Sequence, residues 1–513
     1  MENSPVFASP AIRGLALAAM SNHPADVFLL GAFALDDGKT GKDLQSMHYV
    51  STRGAAPTLG FADALLAGLA RDGGLYCPRS LPEWSPNAIR GLRGLAYADV
   101  AARIMAPFIG DDLGSAELEA MTSEAYACFR HAATAPVIQV APNLFALELF
   151  HGPTLAFKDF AMQWLARATD RALAERRARA TILGATSGDT GAAAIEAFGG
   201  RRQIDVYILF PRGRVSEVQR LQMTTAGQPN VHALAIEGTF DDCQRIVKEL
   251  FNDLAFRDEM GLVGVNSINW ARILAQTVYY FAAALALGAP ERPVSFAVPT
   301  GNFGDVLAGY YAKRMGLPVE RLVVATNEND ILARALADGR YLPRGVKATQ
   351  SPSMDIQVSS NFERLLYEAS GQDSQLVRAL MADLANGGSF AIPPAELQRI
   401  RGDFAAERVD EAECAAEMAR LHRESGLILD PHSAIGVAAA RRALASSTAT
   451  PFVALATAHP AKFPEAVERA TGVRPALPDR LADLLDREET TVILANDRKA
   501  VADFLRQTAR APA

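Results

Sequence analysis

Short apolar runs that alternate with helical patterns are the feature that most restricts the fold of this chain. Runs at 144–150, 180–183, 206–210 and 294–298 are each followed by a segment in which apolar residues recur with helical spacing. Strands that alternate with helices in this way pair in parallel, and the helices cover the faces of the sheet. The sequence therefore predicts an α/β protein with mainly parallel sheets.

The length of the chain and the changes of pattern along it predict more than one packed unit. At 513 residues the chain is longer than one hydrophobic core usually accommodates. We expect an N-terminal extension at 1–46 without an assigned function, a small, mostly helical unit at 47–135, and an α/β core at 136–513. Within that core, a segment at about 374–423 is rich in Ala, Glu and Arg at helical spacing, which predicts an all-helical insertion. Met47 is a candidate for the physiological start of the chain.

Charge, cysteine spacing and hydropathy exclude several classes of protein. The formal net charge of -7 leaves no basic surface of the kind that binds nucleic acid. No apolar run approaches the ~20 residues that cross a bilayer, and the start of the chain lacks the pattern of a signal peptide. Four scattered cysteines without CxxC spacing disfavour a zinc site and a disulfide framework. We therefore expect a cytoplasmic protein with no nucleic-acid or membrane partner and no metal ion.

The first of three polar, glycine-bearing loops contains a lysine suited to Schiff-base chemistry. The loop reads HGPTLAFKD over 151–159 and joins a predicted strand to a predicted helix, where open α/β sheets bind ligands. At the first turn of that helix, the positive end of the dipole and burial beside Leu155 and Phe157 would both favour the neutral amine of Lys158. Schiff-base formation requires this neutral form. A surface lysine without a chemical role stays open as the alternative, and the neighbouring Asp159 could restore the charged form.

The second loop is a candidate anion site. It reads GATSGDTG over 184–191 and places hydroxyl groups and backbone amides at the start of a predicted helix, an arrangement that suits a carboxylate or a phosphate. The alternative is that Ser187, Asp189 and Thr190 only cap the helix, since they are preferred residue types for that role.

The third loop, PTGNFGD over 299–305, is a candidate phosphate site. Gly301 and Gly304 would allow backbone amides to approach a phosphate closely. The loop has neither the Lys-Ser/Thr ending of a Walker motif nor GxGxxG spacing, which disfavours ATP and dinucleotides. A plain turn followed by a helix cap is the alternative.

In their order along the chain, these loops resemble the motifs of threonine synthases, a branch of the tryptophan-synthase-β-like, or fold type II, pyridoxal-phosphate enzymes. HGPTLAFKDFA resembles the lysine motif of that family, ATSGDTG its substrate loop and GNFGD its cofactor phosphate loop. Asp189 stands where cysteine synthases and dehydratases usually have asparagine. The similarity runs from MHYVSTRG at Met47 to ATAHPAKFP at 456–464. It implies two doubly wound subdomains with mainly parallel sheets, together with a small N-terminal domain.

The resemblance also implies a role for individual residues. Lys158 would form the Schiff base with pyridoxal 5'-phosphate, and the hydroxyl of Thr457 would face the pyridine nitrogen and leave it largely unprotonated. The cofactor phosphate would be held by Gly301, Asn302, Phe303 and Gly304. The substrate carboxylate would be bound by Ser187, Gly188, Asp189 and Thr190.

The phosphate of the substrate is expected to bind Arg272, with Asn269 and Ser267 beside it. The planar guanidinium of arginine matches the geometry of phosphate oxygens. The alternative for Arg272 is a buried ion pair with a structural carboxylate, and Asn269 and Ser267 could equally be capping residues. For His432 and His459, we favour a place at a helix start without a chemical role.

The activity that the resemblance implies is the last step of threonine biosynthesis. Phosphate is eliminated from the γ-carbon of O-phospho-L-homoserine and water adds at the β-carbon, which gives L-threonine, with Lys158 as the base. We expect the smaller subdomain to close over the substrate, because early entry of solvent would misdirect protonation. The alternatives are another fold type II lyase, such as a threonine or serine dehydratase or a cysteine synthase, and a non-catalytic relative that binds the cofactor or an amino-acid phosphate. Monomer and homodimer both stay open.

Overall fold

Two mainly parallel sheets form the framework of the protein. The computed structural model describes residues 47–445 and 449–510, so the extension predicted at 1–46 lies outside the described residues. The strands are β1 (Tyr49–Ser51), β2 (Tyr76–Pro78), β3 (Val137–Ala141), β4 (Leu144–Glu148), β5 (Ala180–Ala185), β6 (Ile204–Pro211), β7 (Val231–Ile236), β8 (Leu262–Val263), β9 (Val294–Pro299), β10 (Val319–Thr326), β11 (Arg340–Tyr341), β12 (Phe390–Ala391), β13 (Phe404–Arg408), β14 (Phe452–Ala456) and β15 (Val492–Leu494).

Helices follow most of these strands, as the alternating pattern predicts. They are α1 (Phe61–Ala67), α2 (Pro86–Arg90), α3 (Tyr97–Ile109), α4 (Ser115–Tyr126), α5 (Lys158–Glu175), α6 (Asp189–Phe198), α7 (Glu217–Thr224), α8 (Phe240–Asn252), α9 (Leu254–Met260), α10 (Trp270–Ala286), α11 (Gly304–Arg314), α12 (Ile331–Asp338), α13 (Phe362–Ala369), α14 (Ser374–Gly387), α15 (Pro394–Asp403), α16 (Glu411–Ser425), α17 (Pro431–Ala445), α18 (Pro464–Thr471) and α19 (Arg498–Thr508). Short 3-10 helices lie at Gly110–Asp112, Pro352–Met354, Pro460–Lys462, Asp479–Leu481 and Leu484–Asp486.

The larger sheet has the strand order β13-β10-β9-β14-β4-β3. All neighbours in it are parallel except β3 and β4. Val453 of β14 belongs to one hydrophobic core, whereas Ala454 belongs to a second core. Because successive side chains of a strand point to opposite faces, both faces of this sheet are covered. The sheet is therefore doubly wound, as expected.

The smaller sheet, with the order β15-β7-β6-β5-β8, is parallel throughout. Its strands also divide between two cores: Ile182 of β5 and Ile208 of β6 belong to one, and Leu183 and Leu209 to another. The carboxyl ends of β4, β9 and β14 in the larger sheet, and of β5 in the smaller one, lead into the candidate site.

The N-terminal part, from β1 to α4, packs on the α/β core. The ring of Tyr49 lies 6.1 Å from that of Trp270 in α10, and the ring of Phe61 lies 5.9 Å from that of Trp164 in α5. These residues belong to one hydrophobic cluster that continues into the core. The boundary near 135 stays a prediction.

The expectation of an all-helical insertion at about 374–423 is wrong in one respect. Helices α14, α15 and α16 occupy most of the segment, but β12 pairs antiparallel with β11, and β13 is a parallel edge strand beside β10. The sequence of β13, FAAER, has helical propensity. Pairing with the edge of β10 overrides that propensity, because strand formation depends on the neighbours that a segment meets.

The described part of the chain contains neither a candidate membrane span nor a candidate metal site. None of the helices within 47–445 and 449–510 is long and apolar enough to cross a bilayer. Over the same residues, no group of His, Cys, Asp or Glu side chains is arranged to hold a metal ion.

Candidate active site

Lys158 is a buried amine at the start of a helix. It is the first residue of α5, after the loop that follows β4, and it is 8 % exposed. Its Nζ lies 5.5 Å from the centre of the Phe157 ring. Burial is the largest influence on the pKa of Lys158 and lowers it, Asp189 acts in the opposite direction, and the net shift is downward. The alternative of an exposed surface lysine is therefore excluded.

The carboxylate that contacts Lys158 is Asp189 and not the adjacent Asp159. Asp159 accepts hydrogen bonds from the backbone N–H (2.8 Å) and the hydroxyl (2.7 Å) of Thr154. The suggestion that Asp159 restores the charged form of Lys158 is therefore wrong, because its carboxylate turns back onto the loop. Burial raises the pKa of Asp159 to about 6.

Asp189 lies at the first position of α6 and is held between two lysines. Its Oδ2 is 3.3 Å from Lys158 Nζ, and its Oδ1 is 2.9 Å from Lys462 Nζ. Gln219 Nε2 donates a hydrogen bond of 2.8 Å to Oδ1. Burial alone would raise the pKa of Asp189, but the charges of Lys462 and Lys158 outweigh it and hold the pKa well below its usual range. Asp189 is therefore an ionised carboxylate.

In the second loop, Ser187, Asp189 and Thr190 do not act as the helix caps considered above. Gly188, with φ of 142°, is the N-cap residue of α6, and no side chain caps the helix there. The hydroxyl of Thr186 instead accepts hydrogen bonds from the amides of Gly188 (3.0 Å) and Gly191 (2.9 Å). Ser187 and Thr190 are half-buried. Capping therefore does not account for Ser187, Asp189 and Thr190.

The third loop exposes uncapped amides at the start of α11. Phe303, with φ of 62°, is the N-cap residue, and no side chain caps this helix either. The Phe303 ring packs in the core against Phe362 (5.5 Å) and Phe404 (5.6 Å), so only its backbone is available to a ligand. A Cβ atom on Gly301 would lie 2.6 Å from the Ser353 carbonyl oxygen, so the loop fits closely against the segment that crosses it.

That crossing segment, at 351–361, joins the three loops and was not predicted from the sequence. Ser359 Oγ donates a hydrogen bond of 2.8 Å to the carbonyl of Gly301, and Asn361 Nδ2 donates one of 3.0 Å to the carbonyl of Asn302. Ser353 Oγ lies 3.5 Å from Lys158 Nζ and 3.2 Å from Asp189 Oδ2. Its polar run DIQVSSN over 355–361 was the only signal in the sequence.

Arg272 is a buried guanidinium without a carboxylate partner. It is 3 % exposed, its Nη1 donates a hydrogen bond of 3.0 Å to the carbonyl of Val265, and its buried Nε has no hydrogen-bond partner among the described residues. No ion pair of Arg272 exists within 47–445 and 449–510. Burial lowers the pKa of Arg272 to about 10, and its charge lowers the pKa of Lys158. The alternative of a structural ion pair is therefore contradicted.

The two residues expected beside Arg272 differ in what they can offer. Asn269 caps α10: its Oδ1 accepts from the amide of Ala271 (3.0 Å), and its Nδ2 donates to the carbonyl of Leu65 (2.9 Å). Its side chain is thereby engaged within the protein, in the capping role left open above. Ser267 is half-buried, and its carbonyl accepts a hydrogen bond of 3.0 Å from Asn361 Nδ2. Ser267 therefore lies beside the third loop.

Thr457 follows β14, between the strands that precede the first and third loops. It is buried, its carbonyl accepts a hydrogen bond of 2.9 Å from the amide of Phe157, and its amide donates one of 2.9 Å to Ser433 Oγ. The backbone of Thr457 is thus tied to the residue before Lys158. This places Thr457 in the site, and its role toward the pyridine nitrogen stays a prediction.

The two histidines have different positions. His459 accepts a hydrogen bond of 3.2 Å from the amide of Ala461, which is the helix-start position we favoured. His432 Nε2 accepts one of 3.2 Å from the amide of Ser353, and its Nδ1 lies 2.6 Å from Asp430 Oδ2. These partners assign the proton to Nδ1. His432 is the second residue of α17, so it too lies at a helix start as we favoured, and it also holds the crossing segment through Ser353.

Lys462 is a further site residue that sequence reasoning missed. It is fully buried at the end of the 3-10 helix Pro460–Lys462, and its Nζ donates to the carbonyl of Thr154 (2.7 Å) and to Gln222 Oε1 (3.1 Å) as well as to Asp189. The signal was its place in HPAKF, close to Thr457 in the chain. Only the fold brings it to the second loop.

These residues fit pyridoxal phosphate. The cofactor needs an amine that can lose its proton, and Lys158 is buried with a lowered pKa. It needs a site for its phosphate, and the uncapped amides of α11 follow a glycine loop that a Cβ atom would close. The substrate would need a further anion site, and Arg272 is unpaired.

Known protein families match most of the chain. Residues 48–126 match the family described as Threonine synthase N terminus, 133–458 match Pyridoxal-phosphate dependent enzyme, and 433–505 match Threonine synthase, C-terminal. The chain is 51% identical over 462 residues to a threonine synthase from Pseudomonas aeruginosa. The match covers 90% of this chain and 98% of that protein.

Solved structures of threonine synthases are similar to this chain in fold and in sequence. A crystal structure of pyridoxal-phosphate-bound threonine synthase from Brucella melitensis has a TM-score of 0.88 and 59% identity, and the match covers 91% of this chain and 100% of that one. Threonine synthase from yeast has a TM-score of 0.86 and 38% identity, with coverage of 91% and 99%.

Proposed function

The chain belongs to the threonine synthase family of fold type II, pyridoxal-phosphate-dependent lyases, and from this premise we propose which of its residues carry the reaction. Its cofactor is pyridoxal phosphate. We propose that Lys158 holds the cofactor through its amine and that the backbone amides of Gly301 to Gly304 bind the cofactor phosphate. Thr457 would present its hydroxyl to the pyridine nitrogen.

The substrate that we propose is O-phospho-L-homoserine, and the unpaired Arg272 is the observation that supports it. The third loop already provides a site for the cofactor phosphate. A buried guanidinium without a carboxylate partner among the described residues, whose charge acts on Lys158, therefore calls for a further anion beside it. An unphosphorylated amino acid, the substrate of a dehydratase, offers only its carboxylate, for which the second loop is the proposed site.

The carboxylate of the substrate is proposed to bind the second loop. The N-cap residue of α6, Gly188, has no side chain that could cap the helix, and Ser187 and Thr190 carry hydroxyl groups beside the first amides, of which Thr186 binds that of Gly191. Asp189 would contribute its backbone only, because its side chain is ionised and would repel another carboxylate. The ion pairs of Asp189 with Lys158 and Lys462 reduce that repulsion.

The chemistry divides between the cofactor and the protein. When bound, the cofactor ring stabilises negative charge on the carbon atoms of the substrate. Lys158 Nζ takes up the proton from Cα and returns protons to the carbon chain, which its lowered pKa allows. Arg272 binds the phosphate and stabilises its charge as the bond from Cγ to oxygen breaks. Water then adds at Cβ, so that substrate and water give threonine and inorganic phosphate.

The place of action is proposed to be the cytoplasm. Cys77, Cys128, Cys243 and Cys414 are all free thiols. Burial raises the pKa of Cys77 to about 12, which leaves this thiol inert. Unpaired cysteines are the rule where thiols are kept reduced.

An assay with matched substrates tests this function. The purified protein with pyridoxal phosphate should release phosphate from O-phospho-L-homoserine and form threonine in equal amount. The same preparation should form little or no oxo acid from serine or threonine. Oxo acid as the main product, or phosphate release without threonine, would contradict the proposal.

A further inference from the structure

Three charged side chains lie in a row inside the candidate site. Lys158 Nζ is 3.3 Å from Asp189 Oδ2, and Asp189 Oδ1 is 2.9 Å from Lys462 Nζ. The carboxylate of Asp189 thus contacts the side-chain nitrogen atoms of both lysines. The proposed function gives a role to Lys158 and to the loop of Asp189, but none to Lys462.

The side-chain nitrogen of Lys462 is held in place by three acceptors. It donates to Asp189 Oδ1, to the carbonyl of Thr154 at 2.7 Å and to Gln222 Oε1 at 3.1 Å. An ammonium group has three N–H donors, and each has an acceptor here. Lys462 therefore brings a fixed positive charge to one oxygen of Asp189, on the side away from Lys158.

This arrangement bears directly on the proton of Lys158. A buried carboxylate beside a lysine favours the charged amine. With its charge shared with Lys462, Asp189 stabilises the ammonium form of Lys158 less strongly. Burial is the first cause of the lowered pKa of Lys158, and the charges of Lys462 and Arg272 lower it further.

Other charged groups also lie around this row. Arg272 of α10 acts on Lys158 in the same direction as Lys462. The charge of Lys158 lowers the pKa of Asp305 of α11, but the Oδ1 of Asp305 accepts hydrogen bonds from the hydroxyls of Tyr279 and Tyr280. His432 of α17 contributes to the low pKa of Asp189. Of these groups, Lys462 is the cation that forms an ion pair with the partner of Lys158.

We propose that Lys462 is a positioning residue that neutralises and orients Asp189, and thereby leaves the Lys158 amine free to lose its proton. This inference rests on the proposed function, because it explains how the amine that holds the cofactor becomes reactive. The three N–H groups of Lys462 are directed to Asp189, Thr154 and Gln222, which leaves none for the cofactor or the reacting atoms. Its effect passes through Asp189.

The pH dependence of Lys158 reactivity tests this role without the reaction. The full chain, freed of cofactor, is treated briefly with acetic anhydride over a range of pH, and acetylation of Lys158 is quantified by mass spectrometry of its peptide. The exposed Lys499 provides an internal reference. In Lys462→Gln, the midpoint for Lys158 should move to higher pH by about one unit or more, because the charge of Asp189 is no longer shared. Lys462→Arg keeps the charge and should stay close to the wild type.

Variants of Asp189 keep the proposal testable if Lys462→Gln does not fold. In Asp189→Asn, the carboxylate no longer favours the charged amine, and the midpoint for Lys158 should move to lower pH. In the double variant Asp189→Asn, Lys462→Gln, the midpoint should stay close to that of Asp189→Asn, because the effect of Lys462 passes through Asp189. A midpoint that is the same in the wild type and in Lys462→Gln would overturn the inference, and so would a rise of about one pH unit or more from Asp189→Asn to the double variant. An equal shift in Lys462→Arg and Lys462→Gln would also overturn it, since packing and not charge would then be responsible.

The pH dependence of the visible absorption of the bound cofactor provides a second readout. It should move in the same direction as the acetylation midpoint in each variant. If wild-type Lys158 does not react with pyridoxal phosphate at all, the proposed function fails. If it reacts but its midpoint does not change when Lys462 is replaced, only the present inference fails.

Discussion

The carbonyl oxygen of Ser353 lies 2.6 Å from the place that a Cβ atom on Gly301 would take. The crossing segment at 351–361 therefore rests directly on the loop that is proposed to bind the cofactor phosphate. The same segment reaches Lys158 through Ser353 Oγ. A side chain at Gly301 would separate two parts of the site that depend on each other.

Gly301→Ala is expected to weaken cofactor binding more than it weakens the fold. Overpacking of this kind typically costs about 1–3 kcal/mol, because a backbone oxygen cannot turn aside as a side chain can. Fluorescence titration with pyridoxal phosphate should show a loss of affinity of about tenfold or more. Gly345→Ala is the control, since a Cβ atom there meets nothing within 4 Å. Equal affinity in both variants would contradict the close contact.

Arg272→Gln is expected to reduce kcat/KM for O-phospho-L-homoserine by about a hundredfold or more. Hydrogen bonds to a charged group contribute about 1.5–3 kcal/mol each, and the substitution removes the charge. Inhibition by inorganic phosphate should weaken in parallel. Arg401→Gln is the control: Arg401 lies in α15 and donates to the carbonyls of Leu336 and Ala337. Unchanged phosphate inhibition in Arg272→Gln would show that the second anion binds elsewhere.

The fold could be predicted from the sequence where local patterns decide it. The apolar runs of β5, β6 and β9 are strands because both faces of each are buried, and continuous apolar sequence is the signature of such strands. Lys158 could also be placed at a helix start, because the change from a strand pattern to a helix pattern lies just before it. The edge strand β13 could not, because its pairing with β10 is not written in its own residues.

The partners inside the site could not be predicted, because they come from distant parts of the chain. Asp189 lies 31 positions from Lys158, whereas Asp159 is its neighbour, yet only Asp189 contacts it. Ser353 and Lys462 reach the site from segments that follow other strands. Whether Arg272 pairs with a carboxylate depends on every element around α10. Motifs locate such groups, but only the packing of the elements decides which of them meet.

Asp305 is expected to make the stability of the protein fall between pH 4 and pH 7. Burial raises the pKa of Asp305 to about 7, and Oδ2 has no hydrogen-bond partner among the described residues. Because the folded pKa lies above the unfolded value of 3.8, the contribution of Asp305 is complete below about pH 4 and is lost as pH rises through about 7. At one pKa unit per 1.36 kcal/mol, the upper limit is about 4 kcal/mol.

Urea unfolding across this pH range provides the measurement. In Asp305→Asn, the free energy of unfolding should fall less between pH 4 and pH 7 than in the wild type. The exposed Asp111→Asn is the control and should keep the wild-type slope. Identical slopes for wild type and Asp305→Asn would mean that Asp305 titrates in its ordinary range.

Closure of the smaller subdomain predicts a change in proteolysis. Arg212 and Arg214 are exposed in the loop after β6, at the carboxyl edge of the smaller sheet. A phosphonate analogue of the substrate should slow tryptic cleavage at these two arginines, because closure would cover this edge. Cleavage at the exposed Arg344, which lies outside the smaller sheet, should keep its rate. Unchanged cleavage after Arg212 and Arg214 at saturating analogue would exclude closure at this edge.

The central claim is that Lys158, and not the fully buried Lys462, holds the cofactor. Reduction of the purified protein with borohydride in the presence of pyridoxal phosphate, followed by peptide mapping, tests it most directly, because reduction fixes the cofactor to the amine that carries it. The account predicts one pyridoxyl group per chain, on the peptide that contains Lys158. A pyridoxyl group on Lys462 or on any other lysine, or a chain that takes up none, would contradict it.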